Sequence, residues 1–77
     1  MKLAVFGALG RMGKLISILA PEYGYKVISA IEPKASGNVG KNYFEELTGK
    51  PGNVIVSPEI NEDAEIALDF TLPVALE

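Results

Sequence analysis

Three glycines spaced three residues apart are the part of the sequence best suited to ligand chemistry. Gly7, Gly10 and Gly13 stand between an apolar run at residues 3–6 and a segment with helical periodicity. A sharp strand-to-helix turn needs a residue without Cβ clashes, a bare backbone where a pyrophosphate approaches and a small residue where the helix packs on the strand. The helix N-terminus also presents unpaired N–H groups and a positive dipole end to phosphates.

This turn predicts a dinucleotide site in which Gly10 and Gly13 take the second and third positions of the glycine fingerprint. Ala8 takes the first position, with Gly7 just before it. Arg11 opposes the helix dipole and indicates an anionic ligand nearby, although solvent exposure makes its cost small. Turn glycines without any ligand are the alternative interpretation.

An acidic residue follows the turn at the distance that ribose recognition requires. Glu32 lies 19 residues after Gly13, at the end of the second predicted strand, where a carboxylate would accept a hydrogen bond from a ribose hydroxyl. Lys34 would meet a 2′-phosphate as a point charge, or is a solvated loop residue. The sequence therefore predicts NADH or NADPH as the cofactor without choosing between them.

The elements that position these residues begin with a strand, a helix and a strand. Residues 3–6 predict a strand covered on both faces, and residues 26–31, rich in β-branched side chains, predict a second strand. Pro21 and Gly24 mark the end of the helix. A helix between two strands is the connection that parallel strands require. The apolar stripe of this helix, at i, i+3, i+4 and i+7, consists of Met12, Leu15, Ile16 and Leu19.

The second half of the chain predicts shorter elements. After a loop we expect a helical turn at residues 42–47, a third strand at residues 53–57 and a fourth at residues 66–70. The predicted fold class is α/β, the N-terminal half of a Rossmann-like doubly wound parallel sheet with strand order 3-2-1-4. The outer edge of the fourth strand should be open.

The last residues predict the start of another helix. Thr71 is a plausible N-cap, and Pro73 falls in the first turn. A helix of one turn does not hold itself without tertiary support. We therefore expect residues 1–77 to be the N-terminal part of a longer protein; a small protein with a frayed tail is the alternative.

Composition excludes several classes of function. The chain of 77 residues carries 7 basic and 10 acidic side chains, a net charge of −3, with neither cysteine nor histidine. Thiolate and histidine catalysis are therefore excluded, and without a basic stripe we expect no nucleic-acid partner. The apolar runs are too short for a membrane span or a signal peptide, so we expect no membrane partner and a cytoplasmic protein. A solvated surface, not a metal site, is expected from the acidic residues Glu59, Glu62, Asp63 and Glu65.

Two motifs and the segment between them resemble one enzyme family. The turn Gly-Ala-Leu-Gly-Arg-Met-Gly at residues 7–13, the segment 36–49 and the stretch Asp-Phe-Thr-Leu-Pro at residues 69–73 are similar to those of the dihydrodipicolinate reductases. Members of that family are NAD(P)H-dependent oxidoreductases of lysine and diaminopimelate synthesis. The resemblance covers essentially the whole chain.

The resemblance implies roles for individual residues. Glu32 would bind the adenosine ribose, and Phe70 and Thr71 would lie near the nicotinamide. The cofactor contacts that the resemblance implies in the turn are Gly7, Ala8, Leu9, Gly10, Arg11 and Met12. Many members carry Arg after the acid whereas this chain has Pro33, so 2′-phosphate recognition would depend on Lys34. The family's catalytic His and Lys lie downstream in a substrate-binding domain, so we expect no catalytic residue here. A small-molecule substrate and a homo-oligomer are expected only of the full-length protein.

Two other classes compete with this interpretation. A methyltransferase domain also places a glycine turn after its first strand, but usually with an acid just before the glycines, where this chain has Val5 and Phe6. A stand-alone, non-catalytic nucleotide-sensing module is the remaining alternative. It would require residues 1–77 to be complete and stable alone.

Overall fold

The computed structural model describes residues 1–71, which form a three-stranded parallel sheet with two α-helices. The sheet order is β2-β1-β3, with β1 in the centre. No helix within residues 1–71 has the length and apolar character needed to cross a bilayer. The elements in chain order are β1 (Lys2–Phe6), α1 (Arg11–Leu19), β2 (Lys26–Ile31), α2 (Tyr43–Thr48) and β3 (Ile66–Asp69).

The register of the sheet brings the ends of all three strands to one edge. Phe6 at the end of β1 pairs with Ile31 of β2 on one side and with Asp69 of β3 on the other. The glycine turn, Glu32 and the residues after β3 therefore leave the sheet together. The predicted βαβ unit and the placement of the fourth predicted strand beside the first are confirmed.

The predicted third strand at residues 53–57 is not a strand of the sheet. Ser57 forms a single parallel bridge to β2, and its N–H donates to the Ala30 carbonyl at 3.0 Å. Val56 instead exchanges hydrogen bonds of 2.8 and 2.9 Å with the loop at residues 40–41. The segment lies beside the end of β2, but some of its backbone hydrogen bonds are made with β2 and others with this loop. The described sheet consequently has three strands.

Helix α1 buries a different face from the one that its apolar spacing predicts. Met12 and Leu15 are 52% and 49% exposed. The residues of α1 and its C-cap that are buried are Gly13, Ser17 and Ala20. Small side chains allow the helix to approach the sheet closely, and this turns the larger apolar side chains outward. An apolar groove of about 400 Å³ results, lined by Leu3, Ile16, Leu19, Ala20, Tyr23, Tyr25, Ile66 and Leu68.

Helix α2 confirms the predicted helical turn. Its N-cap is Asn42, whose side-chain oxygen accepts a hydrogen bond from the Glu45 N–H at 3.2 Å. The same amide side chain exchanges hydrogen bonds of 2.8 and 2.9 Å with the backbone of Gly52. The predicted helix beginning at Thr71 falls on residues 72–77, outside the described part of the chain.

Gly13→Ala tests the closeness of α1 to the sheet. Its Cβ would lie 2.4 Å from the Gly7 carbonyl oxygen and 2.9 Å from the Ala8 oxygen, both of them backbone atoms. We expect a loss of about 1–3 kcal/mol in the free energy of unfolding, measured in urea, although alanine has the higher helix propensity. Gly10→Ala is the control, because its Cβ meets only the Gly7 oxygen at 3.3 Å. Equal stability of Gly13→Ala and wild type would contradict this packing.

Candidate functional site

The sharp bend after β1 is made at Gly7. Its φ of +70° lies in the left-handed region that favours glycine, and a Cβ there would lie 3.0 Å from the Phe70 backbone. No described residue other than glycine has a positive φ, so Ala8 does not make the bend. The sequence had predicted Ala8 at the first position of the fingerprint, but the structure places Gly7 there. The error arose because the spacing of the motif does not reveal where the backbone turns.

The backbone conformation at Gly10 does not require a glycine. Its φ of −74° and ψ of 170° are open to any residue, and a Cβ would contact only the Gly7 oxygen at 3.3 Å. The residue is exposed and forms the N-cap of α1. The fold itself therefore gives little reason for a glycine at this position. A phosphate group, in contrast, can approach the backbone closely only where no side chain covers it.

The N-terminus of α1 is positive and carries no side-chain cap. The first intrahelical hydrogen bond runs from the Lys14 N–H to the Gly10 carbonyl at 3.0 Å, so the N–H groups of residues 11–13 precede it. No side chain caps these groups and the first turn holds no acidic residue. Arg11 is exposed and forms no ion pair within residues 1–71. The helix dipole and this guanidinium together favour an anion.

Glu32 lies against the glycine turn. One carboxylate oxygen, Oε2, accepts a hydrogen bond from the Leu9 N–H at 2.8 Å. The other oxygen, Oε1, accepts none from any residue of the described chain. The side chain is half-buried at the end of β2. Glu32 therefore holds the turn through Oε2, a contact that its sequence position does not reveal, and Oε1 has no hydrogen-bond donor among the described residues.

Two clefts flank the glycine turn at the carboxyl edge of the sheet. The smaller, about 280 Å³, contains Glu32, and the larger, about 640 Å³, contains the N-terminus of α1. Thr71 lines both clefts, so they adjoin. Lining the smaller cleft are Phe6, Gly7, Ile31, Glu32, Pro33, Pro58 and Thr71. Lining the larger are Gly10, Arg11, Met12, Asp69, Phe70 and Thr71.

The predicted site residues are mostly brought together by these clefts. Phe70 and Thr71 lie across the larger cleft from the start of α1. Three predicted contacts, Ala8, Leu9 and Lys34, line neither cleft. Lys34 is exposed in a short 3₁₀ turn, Lys34–Ser36. Ala8 is fully buried with its carbonyl bound to the Tyr43 hydroxyl, and the Leu9 N–H is bound to Glu32, so these backbone groups hold the turn.

Asp69 fixes the chain where it leaves β3. Its Oδ1 accepts a hydrogen bond from the Thr71 N–H at 2.8 Å. The backbone hydrogen bond of Thr71, and then that of its side chain, lower the pKa of Asp69 below its usual range. The carboxylate therefore stays ionised and orients Thr71 at the cleft.

A buried tyrosine, which the sequence did not single out, lies beneath the turn. Tyr43 is the first residue of α2 and is wholly buried, with its hydroxyl on the backbone of Ala8 and on Ser17. The one sequence feature that pointed to a buried polar partner was Ser17, which lies on the same helix face as Gly13.

The parallel sheet, the βαβ order and the glycine turn at its carboxyl edge define a Rossmann-like α/β domain. Comparison with known families is more specific. The chain belongs to the family described as "Dihydrodipicolinate reductase, N-terminus", whose sequence model matches residues 1–77.

Three curated relatives carry the name 4-hydroxy-tetrahydrodipicolinate reductase. The proteins of Acinetobacter baylyi and Rhizobium meliloti are 35% and 40% identical over 99% and 97% of this chain. The protein of Ralstonia nicotianae is 35% identical over 97% of it. Residues 1–77 span 29–30% of the length of these relatives. No solved structure shows a significant match.

Glu32→Ala tests the contact between this acid and the turn. Loss of the acceptor should raise the amide hydrogen-exchange rate of Leu9 by roughly tenfold to a hundredfold, because a hydrogen bond to a charged group contributes about 1.5–3 kcal/mol. Glu32→Gln is the matched control, since its side-chain carbonyl still accepts from this N–H. Nuclear magnetic resonance would measure the exchange rate of the Leu9 amide in both variants. Unchanged exchange of Leu9 in Glu32→Ala would contradict the contact.

Proposed function

We propose that this chain binds a nicotinamide dinucleotide, NADH or NADPH, across the glycine turn, as the cofactor-binding part of a dihydrodipicolinate reductase. The observation that carries the proposal is the bare, exposed backbone of Gly10 at the uncapped N-terminus of α1. The family and the names of the relatives support the same assignment.

The charges and the two clefts suggest how the dinucleotide is oriented. The pyrophosphate would lie at the first turn of α1, where unpaired N–H groups and Arg11 offer positive charge. The adenosine ribose would lie in the smaller cleft, where Oε1 of Glu32 accepts its hydroxyl. The nicotinamide would then extend into the larger cleft toward Phe70 and Thr71. One extended ligand would thus occupy both clefts.

The task of this chain in the reaction is binding and orientation. The cofactor, when bound, supplies the hydride, and the protein sets its position and electrostatic surroundings. Asp69 holds Thr71, and Glu32 holds the turn, so both ends of the site are fixed before the ligand arrives. We propose that reduction of the dihydrodipicolinate precursor takes place only with residues beyond this chain, in a cytoplasmic and oligomeric full-length enzyme.

Gly10→Val tests the proposed cofactor site. A valine side chain would occupy the space that the pyrophosphate needs, so we expect the Kd for both NADH and NADPH to rise by on the order of a hundredfold or more, the effect of about 3 kcal/mol. Titration by cofactor fluorescence measures the Kd. Circular dichroism should show a retained fold, because the φ of Gly10 suits a valine.

Gly10→Ala is the matched control, with a smaller side chain at the same backbone position, and should show an intermediate Kd. Equal affinity of Gly10→Val and wild type would contradict the proposed position of the ligand. A folded wild-type chain that binds neither cofactor would contradict the proposed function itself.

Lys34→Ala distinguishes the two cofactors. If this lysine meets the 2′-phosphate, the variant should raise the Kd for NADPH by roughly twofold to fivefold, as expected for one exposed charge pair, and leave the Kd for NADH unchanged. Lys50→Ala, which removes an exposed lysine of equal charge beyond α2, is the control. Equal effects of Lys34→Ala on both cofactors, or none, would place this lysine in solvent.

A further inference from the structure

A buried chain of hydrogen bonds lies directly beneath the glycine turn. The hydroxyl of Tyr43 is 2.8 Å from the Ala8 carbonyl oxygen and 2.8 Å from the Ser17 Oγ. The Gly13 carbonyl oxygen is farther, at 3.3 Å. Tyr43 and Ser17 are 0% and 1% exposed, so no solvent competes for these bonds.

The number of protons fixes the direction of the chain. The Tyr43 hydroxyl has one proton, and Ala8, a carbonyl, only accepts, so Tyr43 donates to Ala8 and Ser17 donates to Tyr43. Burial raises the pKa of Tyr43, against the opposing effect of the hydrogen bond with Ser17. The phenol therefore stays protonated at neutral pH and remains a donor.

The Ala8 carbonyl and the Leu9 N–H belong to the same peptide group. Tyr43 donates to the carbonyl at 2.8 Å, and Glu32 accepts from the N–H at 2.8 Å. The plane of this peptide is thus held on both sides by side chains of two other segments, the start of α2 and the end of β2. It immediately precedes Gly10, the N-cap of α1.

We propose that Tyr43 is a positioning residue of the cofactor site, whose hydroxyl fixes the Ala8–Leu9 peptide and so presents the Gly10 backbone to the ligand. The inference rests on the proposed dinucleotide function. An apolar side chain of the same size would fill the same space, so what the hydroxyl adds is the orientation of this peptide. Fixing a binding loop before the ligand arrives lowers the ordering cost of binding.

The variant Tyr43→Phe removes only the hydroxyl and keeps the buried ring. We expect the Kd for NADH to rise about fivefold or more in samples shown by circular dichroism to be fully folded, because a peptide that Tyr43 no longer holds must be ordered when the ligand binds. Ser29→Ala is the matched control. It also removes a buried hydroxyl that binds a backbone group, the Asn61 N–H at 3.0 Å, but on β2 and away from the turn.

A structural role alone would lower the stability of both variants and leave the Kd of the folded chains unchanged. A rise in Kd confined to Tyr43→Phe supports positioning. An unchanged Kd in Tyr43→Phe, or an equal rise in Ser29→Ala, would overturn it.

Amide hydrogen exchange gives a second measurement that needs no ligand. In Tyr43→Phe the Leu9 amide should exchange faster, whereas the Val5 amide in the centre of β1 should change no more than it does in Ser29→Ala. If wild type binds neither cofactor, the proposed function fails and this measurement decides alone whether Tyr43 holds the turn. Unchanged Leu9 exchange would then overturn the inference.

Discussion

The structure depends on how closely helix α1 approaches the end of β1. Any Cβ at Gly13 would lie 2.4 Å from the Gly7 carbonyl oxygen, so only glycine permits this contact. Because the helix starts so near the strand, the chain must reverse within a few residues, and it does so at Gly7 with a φ of +70°. The small side chain of Ser17, one turn further along α1, then leaves room beneath the turn for the Tyr43 ring.

The turn is held by segments that are distant in sequence but meet at the carboxyl edge of the sheet. Parallel pairing places the end of β2 beside the end of β1, which brings Glu32 to the Leu9 N–H. Tyr43 is itself fixed by its N–H, which donates to the Val54 carbonyl at 2.8 Å. The segment at residues 53–57, though not a strand of the sheet, thereby supports the residue that lies beneath the turn.

Local sequence signals predicted the elements of the sheet but not the contacts between them. The strands at residues 26–31 and 66–69 are short apolar runs bounded by polar or turn residues, and both were found. Hydrophobic periodicity correctly predicted helix α1 but not its buried face, because the residues that pack closest to the sheet are small, Gly13 and Ser17, and not the largest apolar ones. The contacts of the Tyr43 hydroxyl were not predicted because its partners lie 26 to 35 residues away in the sequence.

The glycine motif combines three separate physical demands, which its spacing alone does not distinguish. At Gly7 the demand is backbone conformation, and at Gly13 it is helix packing, so both glycines would be needed in this fold without any ligand. Gly10 has an ordinary conformation and only one close neighbour. Its lack of a side chain leaves the first turn of α1 open beside Arg11, and the proposed phosphate site depends on this openness, which the fold itself does not require.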